Sequence, residues 1–400
     1  MNLLRRYRLL FLLMNTGFIG NLTVIYYLSK GITYGQIGLV SAVSALGFFL
    51  FEVPTGVVAD KVSRKTSVLI GMALFSLGTV ILILLRNFPM LVAYAVISSL
   101  GATFVSGSLQ AWLFDNLRHL EMEKRYREVM RDVKTLTLVF SAFSIPTGAF
   151  LAQFYGFTLP LVMTLIMELG ALLTALSIPE YEFKKPEVSY HLHVLGSARE
   201  LFKGDLLPLV LISISVTVSI NQFRKFFEPY LGGILAESLG TTIMGTLGVL
   251  GVVEALIKTL PRLVGVRLGK KWSVRAYELA PVAIPVFTVL SVLFQNPIFI
   301  ILLGVLATVL NTAFGFNVSV EFQHRIPSEK RATVLSINMM FSALVMAAFY
   351  AVYGFAVDMA GLGEARLIFA VILLVVGVAF KIASLGPFGE PLKLRHLAED

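Results

Sequence analysis

Glu254 and Lys258 stand four residues apart in the middle of an apolar segment running from about residue 241 to 265. On a helix that spacing puts both side chains on one face, one turn apart. If the segment crosses a membrane, an unpaired charge at its centre costs roughly 2.5–3.5 kcal/mol on insertion scales. Paired, the two neutralise one another, and a carboxyl held there is able to take up and release a proton. An inert buried ion pair is the alternative. Gly245, Gly248 and Gly251 on the same segment point to tight packing.

A second cluster runs Glu52-Val53-Pro54-Thr55-Gly56-Val57-Val58-Ala59-Asp60-Lys61-Val62-Ser63-Arg64-Lys65, between two long apolar segments. One acid followed by three cations at a helix end allows Asp60 to accept from a facing helix N-terminus or to pair with basic groups. Breaking those contacts would bias one of two conformations. The bland alternative for Lys61, Arg64 and Lys65 is that they only enforce membrane topology. Glu52 and Asp115 sit near the same membrane boundary and are expected to join this network through Arg118 or Arg131, or else to reach water as interfacial acids. Gly56 is expected to allow close helix approach.

Composition says what must position these groups. The 400 residues are 57% hydrophobic and 14% charged, against roughly 25% charged in soluble domains, and mean hydropathy is +0.83. Apolar runs near the 20 residues needed to cross a bilayer recur throughout. Twelve spans are expected, near 9–29, 35–58, 66–86, 90–115, 133–155, 157–178, 206–231, 241–265, 277–295, 298–322, 333–357 and 366–385. The basic start, Arg5, Arg6 and Arg8, followed by a long apolar run, is read as a retained signal anchor. Lys and Arg cluster after the even-numbered spans, with only Lys30, Arg86 and Arg366 assigned to the opposite side. Both termini and the even-numbered connections are therefore expected in the cytoplasm. The net charge of +9 is topological information, and no nucleic-acid partner is needed. With no cysteine, disulfides, iron–sulfur clusters and thiol catalysis are excluded. No P-loop string, no His-Glu-x-x-His and no Gly-x-Ser-x-Gly occurs, so ATP, a catalytic metal and an enzyme of these kinds are not expected. His191 and His193 make a single His-x-His, too few ligands for a metal site.

The polar connection at 181–205 divides the chain into halves, 1–180 and 206–400. Val266-Arg267-Leu268-Gly269-Lys270-Lys271 repeats, after the eighth span, the placement of Asp60-Lys61-Val62-Ser63-Arg64-Lys65 after the second. The latter string, with Gly56, resembles the G-x-x-x-D-[RK]-x-G-[RK]-[RK] loop of the major facilitator superfamily, with Ser63 at the usual glycine. Gly107 to Leu117, Phe227 to Leu231 and Arg325 to Ala332 look similar to family segments too. The resemblance implies an all-α membrane protein of twelve helices in two pseudo-symmetric six-helix halves, moving a small molecule by alternating access. It further implies that helices 1, 4, 7 and 10 line a cavity. Asn15 and Asn21, Gln110, Asn221, Gln222, Arg224, Lys225 and Glu228, and Asn311 and Asn317 would fall on those helices as substrate or outer-gate contacts, although interhelical amide bonds also serve packing. Arg224 and Glu228 could simply pair. Glu168 lies mid-span on helix 6, which the family places at the periphery.

Two family strings are missing. Ile97 and Leu100 precede Gly101 where an Arg-x-x-Gln-Gly string would stand, and Ile145-Pro146-Thr147-Gly148 replaces Gly-Pro-x-x-Gly-Gly. The expected substrate is amphipathic, with export coupled to protons. A carrier of a polar metabolite, and a transport-inactive receptor or scaffold, are the alternatives; the mid-span Glu254 and Lys258 argue against the scaffold.

Overall fold

A computed structural model of the chain describes residues 3–181, 206–271, 273–326 and 331–385, and within those ranges it is helical with short turns. The first span is α1 (Leu3–Met14), a 3-10 turn (Gly20–Leu22) and α2 (Thr23–Ser29). Then follow α3 (Tyr34–Lys61), α4 (Arg64–Ile83), α5 (Phe88–Val105), α6 (Ser108–His119), α7 (Tyr126–Tyr155) and α8 (Thr158–Ser177). The rest of the chain forms α9 (Leu207–Lys225), α10 (Phe227–Leu239), α11 (Leu247–Lys271), α12 (Ser273–Leu293), α13 (Pro297–Arg325), α14 (Arg331–Ala360) and α15 (Leu362–Leu385). Eleven spans among the described residues are long and apolar enough to cross a membrane. The broken first span completes twelve.

Helix ends follow local chemistry. Thr33 closes a capping box with Gln36 at the start of α3, and Ser63, Asn87 and Asn296 each accept from the backbone three residues on. Such caps satisfy N–H groups that have no partner inside the helix. Pro89 and Pro297 sit in the first turns that follow, where no amide is needed.

Three spans expected to be continuous are interrupted. The first has no helix between Met14 and Gly20. The fourth breaks at Ser106-Gly107, where Gly107 takes φ +70°. The seventh breaks at Phe226 and runs on to Leu239, eight residues past its expected end. Pro229 explains the last: its ring removes an amide and crowds the carbonyl four residues earlier, Lys225.

The chain forms two compact units. One takes residues 1–188 with 244–255; the other takes 189–243 and 256–400. In the first, α4 packs on α5 and α8, and α1 packs on α8. In the second, α12 packs on α13 and α15, and α9 packs on α15. Spans 3, 4, 6 and 1 of one unit thus repeat as spans 9, 10, 12 and 7 of the other, an internal repeat visible in packing though faint in sequence. The core of the first unit gathers Tyr7, Leu10, Val68, Trp112, Leu113 and Ala175; that of the second gathers Val216, Ala280, Ile284, Phe314 and Phe322.

Candidate functional site

The turn between α3 and α4 is only Val62 and Ser63, so Asp60 and Lys61 belong to the last turn of α3. Ser63 caps α4 and donates to Glu180 Oε2 at 2.6 Å, while the Lys65 amide donates to Glu180 Oε1 at 3.0 Å. A carboxylate thus sits on the positive end of α4, where dipole and free amides favour it. Lys65 Nζ returns the arrangement, donating to the Leu176 and Ile178 carbonyls at the end of α8. Arg64 pairs with Asp115, which also meets Arg118 at 3.7 Å. Asn116 donates to Pro179 O and to the Tyr7 hydroxyl, and its amide oxygen accepts from the Tyr181 backbone.

These bonds fasten the stretch from Ile178 to Tyr181 to the ends of α4 and α6. Ser63, at the family's glycine position, supplies both a cap and a donor for Glu180, a residue that no motif in the sequence singled out. Alanine at Glu180 removes two hydrogen bonds to a charged acceptor, so about 2 kcal/mol should be lost; Ser63→Gly keeps the cap conformation and should cost about half as much. Thermal unfolding of the two variants in one detergent checks the order.

The other members of the motif behave differently. Asp60 is half-buried and forms no hydrogen bond or ion pair among the described residues, and Lys61 is exposed. Gly56 is also exposed; a Cβ there would meet nothing within 4 Å, so the expected close approach is not made at this position. Glu52 does not join Arg118 or Arg131. It accepts from Ser106 at 3.4 Å, beside the break in the fourth span, while Arg131 pairs with its neighbour Asp132.

Glu254 lies on α11 with 2% of its surface exposed, inside the first unit. Its carboxylate stands against the interrupted stretch of the first span. A Cβ added at Gly20, which has φ +55°, would be 2.8 Å from the Glu254 carboxyl carbon. Irregular backbone at membrane depth is tolerated only where protein or a water-filled cavity meets its polar groups. Here Ser144 donates to Gly17 O at 3.0 Å, and Phe18 N–H donates to Thr164 at 3.2 Å. The Asn15 amide and Thr16 hydroxyl return to the carbonyls of Phe11 and Leu12. Asn15 therefore serves the end of α1. The backbone of Asn21 lies in the 3-10 turn, and its side chain lies outside the described residues. Gly248 N–H donates to Gln153 Oε1 at 2.8 Å, and Gly251 abuts Ala149, the tight packing expected of these glycines. Lys258, one turn beyond Glu254, is half-buried.

In the second unit the amide of Asn221 is used twice, donating to Thr217 O and accepting from Tyr350 at 2.9 Å. Lys225 lies over the Tyr350 ring, 4.7 Å from its centroid. The break at Phe226 takes Arg224 and Glu228 off a common helical face; Arg224 makes no ion pair among the described residues, and Glu228 is buried. Arg366 has a role that its place in the sequence did not suggest. Expected at the start of the last span on the side opposite the cytoplasm, it is 0% exposed in the first turns of α15. It donates to Phe223 O at 3.0 Å and stacks over Tyr230 and Phe223, while Gln222 donates to its backbone carbonyl. Gln110 is exposed on α6, Asn311 is half-buried and Asn317 buried on α13. His191 and His193 lie outside the described residues, as do the side chains of Arg267, Lys270 and Lys271 and the terminal Lys393 and Arg395.

Two compact helical units, interrupted spans and carboxylates held at membrane depth define a multi-pass α-helical membrane protein. The model of the Major Facilitator Superfamily matches residues 8–350, and the chain belongs to that family. It is 23% identical over 239 residues to the uncharacterized MFS-type transporter YxaM of Bacillus subtilis (strain 168), a match covering 56% of this chain and 57% of that protein's length. Among solved structures, the nucleoside transporter NupG superposes with a TM-score of 0.76 at 15% identity, over 96% of this chain and 99% of that one. A bacterial homolog of the human lysosomal transporter Spinster, in an inward-facing and unoccupied conformation, gives 0.67 at 16% identity, over 95% and 94%. At such identities the likeness is one of fold. The chain is therefore a multi-pass membrane protein of this family and fold.

Proposed function

We propose that the protein is a secondary transporter of the cell membrane that exports a small amphipathic molecule by alternating access, with Glu254 carrying the coupled proton and both termini in the cytoplasm. One observation carries the coupling: a carboxyl 2% exposed on a membrane helix, packed against backbone that has left its helix at Gly20. A carboxyl there is able to take up and release a proton as its surroundings change between two conformations. A neutral glutamine would hold the packing and lose the proton. Asp60, half-buried and with no hydrogen bond or ion pair among the described residues, is the group of the motif proposed to take a partner in the other conformation. The amphipathic class rests on the many aromatic residues and few charges along the spans.

Proteoliposomes under an imposed pH gradient test this. Substrate-dependent proton movement should appear with a panel of amphipathic compounds and fall at least tenfold in Glu254→Gln. Uptake of polar metabolites alone would reverse the substrate class. Movement without protons, unchanged by the substitution, would make Glu254 structural.

A further inference from the structure

Glu168 has no part in the reading above. It lies midway along α8 and, with Met14, Met72, Phe75 and Ala171, lines a half-open cavity of about 200 Å³ in the first unit, formed by α1, α4 and α8. Its two carboxyl oxygens are treated differently. Oε1 accepts from the Thr79 hydroxyl at 2.9 Å, whereas Oε2 is buried with no hydrogen-bond partner. A carboxyl oxygen buried without a donor is costly, and the strongest relief is a charged N–H donor.

We propose that this cavity binds a small organic ammonium ion, with the ammonium group on Glu168 Oε2 and the apolar body against the other lining residues. The lining fits nothing else as well. An anion would face the carboxylate, and a neutral polar molecule would find apolar side chains everywhere except at Glu168. Phe75 adds an aromatic side chain to the lining, a residue type that attracts cations, and the thioethers of Met14 and Met72 are polarisable and adapt to an irregular apolar shape. Volume limits the guest. An apolar cavity of about 150 Å³ holds benzene, and drug-sized ligands need about 300 Å³ or more. One ring with a short ammonium-bearing arm therefore matches. Met14 is the last residue of α1, so the guest touches the first span at the point where its helix stops. The proposal does not rest on the transport reading, because it concerns a different carboxyl and is read by binding alone.

The test is equilibrium binding of phenylethylammonium and of its neutral counterpart 2-phenylethanol to the full-length protein in nanodiscs. Wild type should prefer the ammonium at least tenfold. Glu168→Gln should abolish that preference, while Glu254→Gln retains it. If Glu168→Gln fails to give folded protein, Ala171→Leu, which fills the cavity and leaves the carboxyl, should weaken both ligands at least tenfold. Equal binding of the two compounds by wild type, no ammonium binding at millimolar concentration, or ammonium binding untouched by Glu168→Gln or by Ala171→Leu would each overturn the proposal. Loss of the preference in Glu254→Gln would overturn it as well, by assigning the ammonium to the other carboxyl.

Discussion

Alanine at Gly148 is expected to leave no folded, monodisperse protein, while alanine at Gly17 behaves as wild type. Gly148 lies on α7 where that helix meets the interruption of the first span. A Cβ there would collide with the Phe18 carbonyl oxygen and stand 2.5 Å from its carbon and 2.8 Å from the Phe18 Cβ. The obstacle is backbone, so no rotamer change relieves it. Overpacking a core against movable side chains costs about 1–3 kcal/mol; here α7 or the interrupted stretch must shift. Either shift breaks the bond from Ser144 to Gly17 O or the bond from Phe18 N–H to Thr164. Each polar group left buried without a partner adds about 1–3 kcal/mol. The sum approaches the whole stability of a typical domain, about 5–15 kcal/mol. At Gly17 a Cβ meets nothing within 4 Å, so that substitution keeps every one of these bonds. Size-exclusion profiles of the two variants from equal cell mass give the comparison, and a normal peak for Gly148→Ala would mean that the interruption is not held at this point.

The spans were legible because each is a matter of length and hydropathy, which the chain writes locally. α3 and α8 end within a few residues of their expected limits, and Asn87-Phe88-Pro89 and Asn296-Pro297 mark starts through a cap and a first-turn proline. The interruptions were harder to see. Ser106-Gly107 is turn punctuation that a window averaged over twenty apolar residues conceals. In the first span, Asn15, Gly17 and Gly20 weaken the helix without dictating where it stops; Ser144, Gly148 and Thr164, more than a hundred residues away, decide that. Pro229 was a visible signal, yet α3 runs unbroken through Pro54, so a proline alone does not separate a break from a tolerated kink.

The candidate site divides in the same way. Glu254 stood out because a mid-span acid is conspicuous in one dimension, whereas its neighbour Gly20 is a fact of packing. Arg64 with Asp115 was half-anticipated, since both lie at membrane boundaries. The contacts of Glu180 and Arg366 went unforeseen because hydropathy near the end of a span cannot distinguish a charge facing water from one folded back against its own unit. Glu168 was seen and set aside on the strength of a resemblance, and the cavity it lines could not be inferred from a single helix.

Arg366 carries the second large expected effect: lysine should not rescue what methionine destroys. The carbonyls at the end of α9 lose their helical partners at the break, and Phe223 O takes Arg366 as a replacement. The same guanidinium lies 4.6 Å from the centroid of Tyr230, on α10 beyond the break, and 5.5 Å from that of Phe223 before it. One planar group thus ties the two half-helices together. Arg366→Met leaves a buried carbonyl unsatisfied, about 1–3 kcal/mol, and forfeits desolvated cation–π contacts worth about 2 kcal/mol. Against this stands a gain, since Nε and Nη2 are buried without hydrogen-bond partners and methionine removes that cost. The net loss should therefore be about 2 kcal/mol rather than the full sum. Lysine retains the charge, but a compact ammonium cannot bond the Phe223 carbonyl and face both rings as the flat fork does. Arg366→Lys should then unfold at or below the temperature of Arg366→Met, and Gln222→Ala, which removes one bond to the Arg366 backbone, should fall between those variants and wild type. If lysine restored the wild-type unfolding temperature, a positive charge at this depth would be the requirement, and the planar clamp across the break in the seventh span would be the wrong account.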